Sequence, residues 1–565
     1  MRNENYSNTN NLAPPIGTAA GMRLSQILLI VLALLHGALI LFVTHASPPG
    51  MYNSPDEAAN AFFASGVAED GHLARPVVRP ELPTSVVPRG INRRSNTLIP
   101  VGFVSVPIFL GVIAKVVTTN GLPIFLAALS VLSLFAWYSF VRTLFGRALA
   151  LLATVLLTLH PMLIYWGARP FMPNALFMSF VFFTLFFVGR LSRAPGAPPA
   201  RGVSLQSSGI AFEKPVYALA ESKRRTSSAF LGFCWGIAVA LRPQEGIWLL
   251  SIPAAFLFIH MLRRRLSWTL AIISAFIPLG GLLLLQRMLY GGVLRSGYHL
   301  TSPLVSPLHL VQNLIFPFGF HIERAATVAL WYLGIIIWWY AILWIAGIIL
   351  GMRDTADPIQ KRVQVAGLVS IALALWFLFY YGSFEFYDRF DHSVVSLGTS
   401  FTRYFLPFYA ASTIPAAYAL LRLRKYAGAF AVCAVIFFIA IFSVHLTVFA
   451  TDESFVSILS VLRQNQEVKA NMLKETPADA IILTERADKI FYPEREVITV
   501  FRNPKFDQPR FEELYPFNLY YETIADKDVV AAENQKFWEP HGLRAVSPMD
   551  LGYRHTLYKL TRIVQ

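Results

Sequence analysis

The sequence has few charged residues and almost no cysteine. Only 14% of its 565 residues are charged and 55% are hydrophobic, whereas soluble proteins average about 25% charged residues. The mean hydropathy is +0.51. This shortage of charge excludes an ordinary soluble globule and indicates an integral membrane protein. Both cysteines, Cys234 and Cys433, lie in apolar runs, so the chain has neither a disulfide framework nor a thiolate metal site.

Acidic residues are scarce in the first 450 positions. Residues 451–565 hold 18 of the 33 Asp and Glu residues, against 15 Lys and Arg. The net charge of +15 therefore belongs to the apolar part of the chain, whose short loops carry Arg and Lys. We interpret this charge as a signal of membrane topology and not as a nucleic-acid footprint.

Eleven apolar runs approach the roughly 20 residues that a helix needs to cross a bilayer. They predict an all-α polytopic membrane protein with about eleven transmembrane helices. The first run is too long for a typical signal-peptide core and lacks a cleavage site, so we expect it to be retained after a tail of residues 1–23. The transmembrane domain then covers residues 24–450, with runs at 24–44, 121–142, 148–166, 172–190, 229–244, 246–262, 268–289, 328–350, 365–382, 403–421 and 427–449.

Basic residues mark every second loop, and the positive-inside rule makes these loops cytoplasmic. The protein is then predicted to lie in the plasma (inner) membrane, with its N-terminus in the cytoplasm and with loop 45–98 and the C-terminus outside. A further apolar run, 99–118, would invert every later loop if it crossed. We expect a surface-lying or re-entrant helix there. The alternative is that this run spans and that the N-terminus is outside.

The long apolar runs end near residue 450, and the rest of the chain has a different pattern. A polar helix-like stretch at 455–475 precedes two short apolar runs at 480–484 and 496–500, which are typical of β-strands. A second helix-like stretch covers 509–525, and a last strand lies near 556–560. These features predict a small extracytoplasmic α/β domain over residues 451–565.

None of the fifteen acidic residues in the first 450 positions lies in the middle of a predicted span. Ion-coupled transporters generally place a carboxylate near the bilayer midplane, so this absence argues against a transporter. Ten of these acidic residues lie in loops assigned to the outer face. We therefore expect the chemistry at that face.

The sharpest local cluster is SPDE, residues 54–57, about ten residues after the first span. A carboxylate beside a proline turn at the membrane surface can act as a general base or hold a divalent cation. The alternative is a helix cap, in which Ser54 or Asp56 begins the helix that follows. The two interpretations are compatible, because a base must be held rigidly.

The stretch YNSPDEAANAFFASGVAEDGHL (52–73) resembles the first outer loop of the C-type glycosyltransferase (GT-C) superfamily. Relatives of this kind include protein O-mannosyltransferases and lipid A aminoarabinose transferases. Three later stretches agree in order: YWGARPFMPN (165–174), ALRPQEG (240–246) and TSFTRYFLPFYA (399–410). The resemblance covers about residues 50–450. In one departure, Asn174 stands where the family often has an Asp.

This resemblance implies a glycosyltransferase that moves a hexose or pentose from a polyprenyl-phosphate donor to an acceptor hydroxyl, with inversion, at the outer face. The acceptor is a lipid, a glycan or a protein. The catalytic carboxylate is Asp56 or Glu57. We favour Asp56, and expect Glu57→Gln to retain substantial activity, because neighbouring helix residues point about 100° apart. The alternatives are a ligase for a lipid-linked glycan and a non-enzymatic lipid-linked sugar flippase.

Three arginines at outer helix ends suit the donor phosphate: Arg169, Arg242 and Arg403. A guanidinium binds phosphate oxygens bidentately and keeps its charge. The alternative for each is snorkelling towards lipid headgroups. No cofactor is required, and a divalent cation stays an alternative that no ligand cluster demands. Weaker candidates for substrate or metal contacts are His299, His321, Glu323, Glu385, Asp388, Asp391 and His392.

Overall fold

The computed structural model describes residues 19–193, 213–258, 266–297, 319, 321–353, 357–383, 395–450, 453–500 and 509–563. Within them, seven helices are long and apolar enough to cross a bilayer. The number is eight if the bent pair Arg147–Thr158 and Pro161–Gly167, with its 60° turn, is one span. The seven are Gln26–Ala46, Leu122–Phe145, Pro173–Ser192, Trp268–Tyr290, Ile322–Met352, Pro358–Tyr380 and Leu406–Phe449. A multi-pass architecture is confirmed, whereas the count of eleven is not.

Two features of the chain account for two of the four spans by which seven falls short of eleven. The predicted runs 403–421 and 427–449 are counted together as the stretch Leu406–Phe449 of 44 residues, although it consists of two helices of about 20 residues, each long enough to cross the hydrocarbon core. It is broken at Gly428, whose φ of 83° suits glycine alone. The predicted run 246–262 begins instead with two short helices, Gly246–Leu249 and Ser251–Phe258, after helix Glu213–Leu241 has ended beside Pro243.

The first predicted loop contains two helices and a small sheet. Helix α1 (Ala19–Ala46) leads to helix α2 (Pro55–Glu69), strands β1 (Arg75–Pro76), β2 (Ile91–Arg94) and β3 (Thr97–Pro100), and helix α3 (Ser105–Val117). With 13 residues, α3 is about 20 Å long, too short to cross a core of roughly 30 Å. A helix of this length agrees with the expected surface-lying helix and not with a full crossing. It packs on α2 so closely that a Cβ at Gly111 would lie 2.5 Å from Val67 Cβ.

The described residues from Phe455 onwards form an α/β domain whose five-stranded sheet has the spatial order β5 (Glu496–Thr499), β4 (Ile481–Thr484), β6 (Leu519–Thr523), β8 (His555–Arg562) and β7 (Leu543–Gly552). Strand β4 pairs in parallel with β5 and with β6. Strands β7 and β8 complete the sheet with antiparallel pairs. Helix Phe455–Glu475 covers one face through Val468 and Met472. The prediction of a helix over 509–525 is wrong, because the second half of this stretch forms the fully buried strand β6.

Loop 45–98 packs directly against this C-terminal domain. Leu82 and Val86 of the loop belong to the same hydrophobic core as Leu483 and Tyr521 of the sheet. The Arg79 guanidinium donates a hydrogen bond to the Asp479 carbonyl at 2.8 Å. The loop and the domain therefore lie on one side of the membrane. That this side is the outer one stays a prediction from the basic loops.

We expect single cysteines at Asp70→Cys and Ser547→Cys to react with an impermeant maleimide in intact cells, in a Cys433→Ser background. Both positions are exposed, and Cys433 is the exposed native thiol. Lys223→Cys, on the predicted cytoplasmic side, serves as the control and should react only after permeabilisation. Labelling of Lys223→Cys alone would place the N-terminus outside, and labelling of only one of the two outer positions would contradict the packing of loop against domain.

Candidate active site

The first turn of α2 is held by a capping box. The Ser54 hydroxyl accepts a hydrogen bond from the Glu57 amide at 3.2 Å, and a Glu57 carboxylate oxygen accepts one from the Ser54 amide at 3.2 Å. Pro55 occupies the first helical turn, where its missing N–H costs nothing. The cap is therefore Ser54 with Glu57, and Asp56 does not take part in it.

Glu57 is fully engaged inside the protein. Its two oxygens accept from Nη2 and Nε of Arg169 at 2.6 and 3.1 Å, in a buried fork. The residues Glu57 and Arg169 are only 5% and 7% exposed. With its carboxylate committed to the cap and to Arg169, Glu57 is poorly placed to accept a proton from a substrate. Arg169 likewise stabilises the loop and does not line the cavity described next.

Asp56 faces a cavity on the other side of the same turn. Its side chain is 48% exposed, and its Oδ2 lies 3.2 Å from Nη1 of Arg403. The cavity is open to solvent, and its empty space, with the solvent-open part included, is about 580 Å³. Two of the three predicted arginines share it with Asp56, and its polar lining consists of Asp56, Asn60, Asn174, Arg242, Gln244, Arg403 and Tyr404.

Arg403 is brought to Asp56 by the short helix Ser400–Tyr404. Its guanidinium lies 5.1 Å from the centre of the Tyr404 ring and 6.0 Å from that of Trp166. Aromatic faces attract a cation and restrict its movement. The side chain is 15% exposed, so Arg403 is held in place and still reaches the cavity.

Arg242 is paired more deeply. Its Nη2 lies 2.9 Å from Oε1 of Glu245, and both side chains are 1% exposed. Arg242 also donates to Oδ1 of Asn174 at 3.2 Å, and Tyr381 donates to Glu245 at 2.8 Å. A buried ion pair needs such additional hydrogen bonds to offset its desolvation. We did not predict Glu245 as a site residue, although its spacing of three from Arg242 in RPQE is the signal that could have found it.

Asn174 carries an open hydrogen-bond donor. Its side chain is 1% exposed, and within the described part of the chain its Nδ2 has no hydrogen-bond partner. A buried polar group of this kind normally bonds to protein, water or ligand. Because Asn174 lines the cavity, its amide can donate to a molecule bound there. It occupies the position where the resemblance leads us to expect an Asp.

The weaker candidates lie elsewhere. His321 and Glu323 are exposed at the start of helix Ile322–Val328 and do not line the cavity. Among the residues that the structure describes, no group of three or more His, Cys, Asp or Glu side chains could hold a metal ion. The remaining candidates fall outside the described residues: His299, Glu385, Asp388, Asp391 and His392.

A second and larger cavity lies on the other side of α2, and its empty space, with the solvent-open part included, is about 1110 Å³. Its walls come from α2, α3, the loop and the C-terminal domain. They carry four cationic side chains and two acidic ones: Arg75, Arg89, Lys469, Lys489, Asp488 and Glu494. Ala59 lines both cavities. Helix α2 therefore forms the wall between them.

No protein-family model and no curated protein matches the chain. Solved structures do. ArnT from Cupriavidus metallidurans matches in its apo state and bound to undecaprenyl phosphate, with TM-scores of 0.54 and 0.53, 12% identity and coverage of 96% of this chain and 98% of that one. The apo oligosaccharyltransferase of Archaeoglobus fulgidus matches with a TM-score of 0.51 and 12% identity, over 90% of this chain and 70% of that one. Both are GT-C proteins, so the GT-C resemblance of the sequence is confirmed at the level of the fold.

Proposed function

We propose that this protein is a membrane glycosyltransferase that moves a sugar from a polyprenyl-phosphate donor to an acceptor hydroxyl, with inversion at the anomeric carbon. One observation carries the proposal. The half-exposed carboxylate of Asp56 and the guanidinium of Arg403, 347 residues apart in sequence, lie 3.2 Å from each other in one cavity. The matching fold of ArnT, solved with undecaprenyl phosphate bound, supports the choice of donor.

In the proposed reaction, Asp56 accepts the proton of the acceptor hydroxyl. The hydroxyl oxygen forms a bond to the anomeric carbon from one face while the bond from that carbon to the phosphate oxygen breaks on the other. The electron pair leaves with the polyprenyl phosphate. Arg403 and Arg242 stabilise the negative charge that grows on the phosphate.

The geometry gives each group a separate task. A phosphate bound by Arg403 brings the anomeric carbon next to Asp56, because the two side chains are neighbours, and such positioning lowers the barrier to reaction. The open amide of Asn174 adds a neutral donor on the Arg242 side. In this proposal Arg169 does not bind phosphate, since its guanidinium is committed to Glu57.

The test is incubation of purified protein with radiolabelled polyprenyl-phosphate sugars and a membrane extract, followed by isolation of labelled product. We expect label to pass from the donor lipid to a second molecule, with the Asp56→Asn variant as the inactive control. Transfer only of preassembled glycans would indicate the ligase. Movement of labelled lipid across proteoliposomes without any transfer would support the flippase and overturn the proposal.

Arg403→Lys is expected to lower the transfer rate although it keeps the charge. A compact ammonium cannot reproduce the planar fork of a guanidinium on a phosphate. Loss of a hydrogen bond to a charged group costs on the order of 1.5–3 kcal/mol, which corresponds to roughly ten- to a hundredfold in kcat/KM. The measurement is the initial rate at subsaturating donor.

Arg510→Lys is the matched control, because Arg510 is 83% exposed in the C-terminal domain, pairs with Glu513 at 3.4 Å and does not line the cavity. It should transfer at the wild-type rate. Wild-type kinetics for Arg403→Lys as well would return Arg403 to the snorkelling alternative.

A further inference from the structure

The short helix Asp488–Phe491 of the C-terminal domain lies beside the start of helix α2. Asp488 is fully buried and accepts hydrogen bonds from the Arg89 amide at 2.8 Å and from Arg89 Nε at 3.0 Å. The next residue, Lys489, donates from its ammonium to the Asn53 carbonyl at 2.5 Å. Asn53 immediately precedes the cap residue Ser54. Two adjacent residues of the domain thus hold two separate parts of the loop.

The first of these contacts reaches the cavity wall. Gly90, which follows Arg89, has a φ of 83°, and a Cβ there would lie 2.9 Å from Ala59 Cβ and 3.3 Å from the Pro55 carbonyl oxygen. Gly90 therefore rests directly on the first turn of α2, and it lines the cavity of Asp56. By fixing the backbone of Arg89, Asp488 also fixes the segment that presses on this turn.

The second contact reaches the start of the helix itself. Lys489 is mostly buried, and within the described residues no carboxylate lies within 4 Å of its ammonium. Burial, reinforced by Arg89 and Arg169 and opposed by Asp488 and Glu57, lowers the pKa of Lys489 to about 8. A buried cation without an ion-pair partner costs stability. Its one described hydrogen bond goes to the residue that leads into the capping box.

We propose that Asp488 and Lys489 are positioning residues, through which the C-terminal domain holds the helix turn that carries Asp56. Lys489 holds Asn53, which leads into the first turn of α2, and Asp488 holds Arg89, whose neighbour Gly90 packs on that turn. Together these contacts keep Asp56 pointing into its cavity. The inference rests on the proposed function, since it concerns the geometry of the same carboxylate.

Lys489→Met is the first test. We expect kcat for sugar transfer to fall about ten- to a hundredfold, because small misplacements of a reacting group have effects of this size. The donor KM should stay within about twofold, since the arginines at the phosphate are untouched. The matched control is Lys469→Met. Lys469 lines the same large cavity but pairs at 2.6 Å with Glu494 of its own domain, so this variant should keep wild-type kcat.

The pH profile gives a readout that a merely structural role would not move. With a pKa of about 8, Lys489 is charged below that pH and loses its charge as pH rises through it. A neutral amine donates a weaker hydrogen bond to the Asn53 carbonyl than an ammonium does, so wild-type kcat should decline above about pH 8. The Lys489→Arg variant keeps its charge at every working pH, so its alkaline decline should shift upward by at least one pH unit. An unchanged profile would contradict the proposal.

Hydrogen exchange of the peptide covering residues 53–60 tests the contact without any assay of transfer. Faster exchange in Lys489→Met than in Lys469→Met supports the positioning role, and equal exchange contradicts it. If wild type transfers sugar and Lys489→Met does so equally well, the inference fails and the proposed function stands. If wild type transfers no sugar at all, the proposed function fails, and the exchange experiment still decides whether the domain holds the helix.

Discussion

Asp56→Asn is expected to reduce sugar transfer by about 10²–10⁴-fold, the usual effect of losing a general base. In the described part of the chain, Asp56 is the one carboxylate that lines the cavity. An asparagine amide cannot accept the proton of the acceptor hydroxyl. Because the helix cap is formed by Ser54 and Glu57, the variant should express, purify as a monodisperse species and melt near the wild-type temperature.

The matched control is Glu69→Gln, which removes a carboxylate from the other end of the same helix. Glu69 is 61% exposed and lies 3.6 Å from Arg75, so little stability and no activity should be lost. Initial rates with labelled donor decide the matter. An Asp56→Asn variant that transferred sugar at a near-normal rate would remove Asp56 from the catalytic role.

Glu57→Gln is expected to cause the largest loss of stability. It leaves the buried guanidinium of Arg169 without a charge partner, and breaking a buried pair in this way costs about 3–5 kcal/mol. Helix geometry alone led us to expect that this variant would retain activity. The structure changes that expectation, because the carboxylate accepts from both Arg169 and the Ser54 amide. Thermal unfolding in detergent should show a clear fall in Tm.

The double variant Glu57→Gln/Arg169→Met distinguishes this cause from a general disturbance of the loop. Removing the guanidinium of Arg169, which Glu57→Gln leaves buried without a charge partner, should recover part of the lost stability. A double-mutant cycle measures this recovery as a coupling energy between the two sites. Glu69→Gln again supplies the control, with a Tm close to wild type. A Glu57→Gln protein as stable as wild type would show that the buried pair contributes nothing.

The two adjacent carboxylates of SPDE thus have different roles, and the reason is their environment. Glu57 turns inward to a buried arginine, whereas Asp56 turns to an open cavity and to Arg403. From the 100° rotation between neighbours on a helix, sequence reasoning inferred that only one of the two carboxylates faces the reacting hydroxyl, and it favoured Asp56. It could not say which residue would be inside, because that depends on where Arg169 and Arg403 lie in space.

Other features of the site were beyond prediction for the same reason. In the sequence, Asn174 was only a departure from a family pattern. In the structure, its Oδ1 accepts a hydrogen bond from Arg242, and within the described residues its Nδ2 has no partner, so this nitrogen can donate to a bound molecule. Glu245 was one acidic residue among fifteen. Lys489 belongs to a domain for which the sequence suggested no role, and its contact with Asn53 joins residues 436 positions apart.

The sequence by itself determined the membrane class, the GT-C fold, a helix after loop 45–98 and three strands of the C-terminal sheet. Hydropathy and short motifs are local properties, so they can be read from neighbouring residues. The tertiary structure decided how many runs are long helices, that 509–525 holds a strand, which arginine pairs with which carboxylate, and that the C-terminal domain supports helix α2. Each of these depends on partners far apart in the chain, because burial and charge pairing are settled only when distant segments pack together.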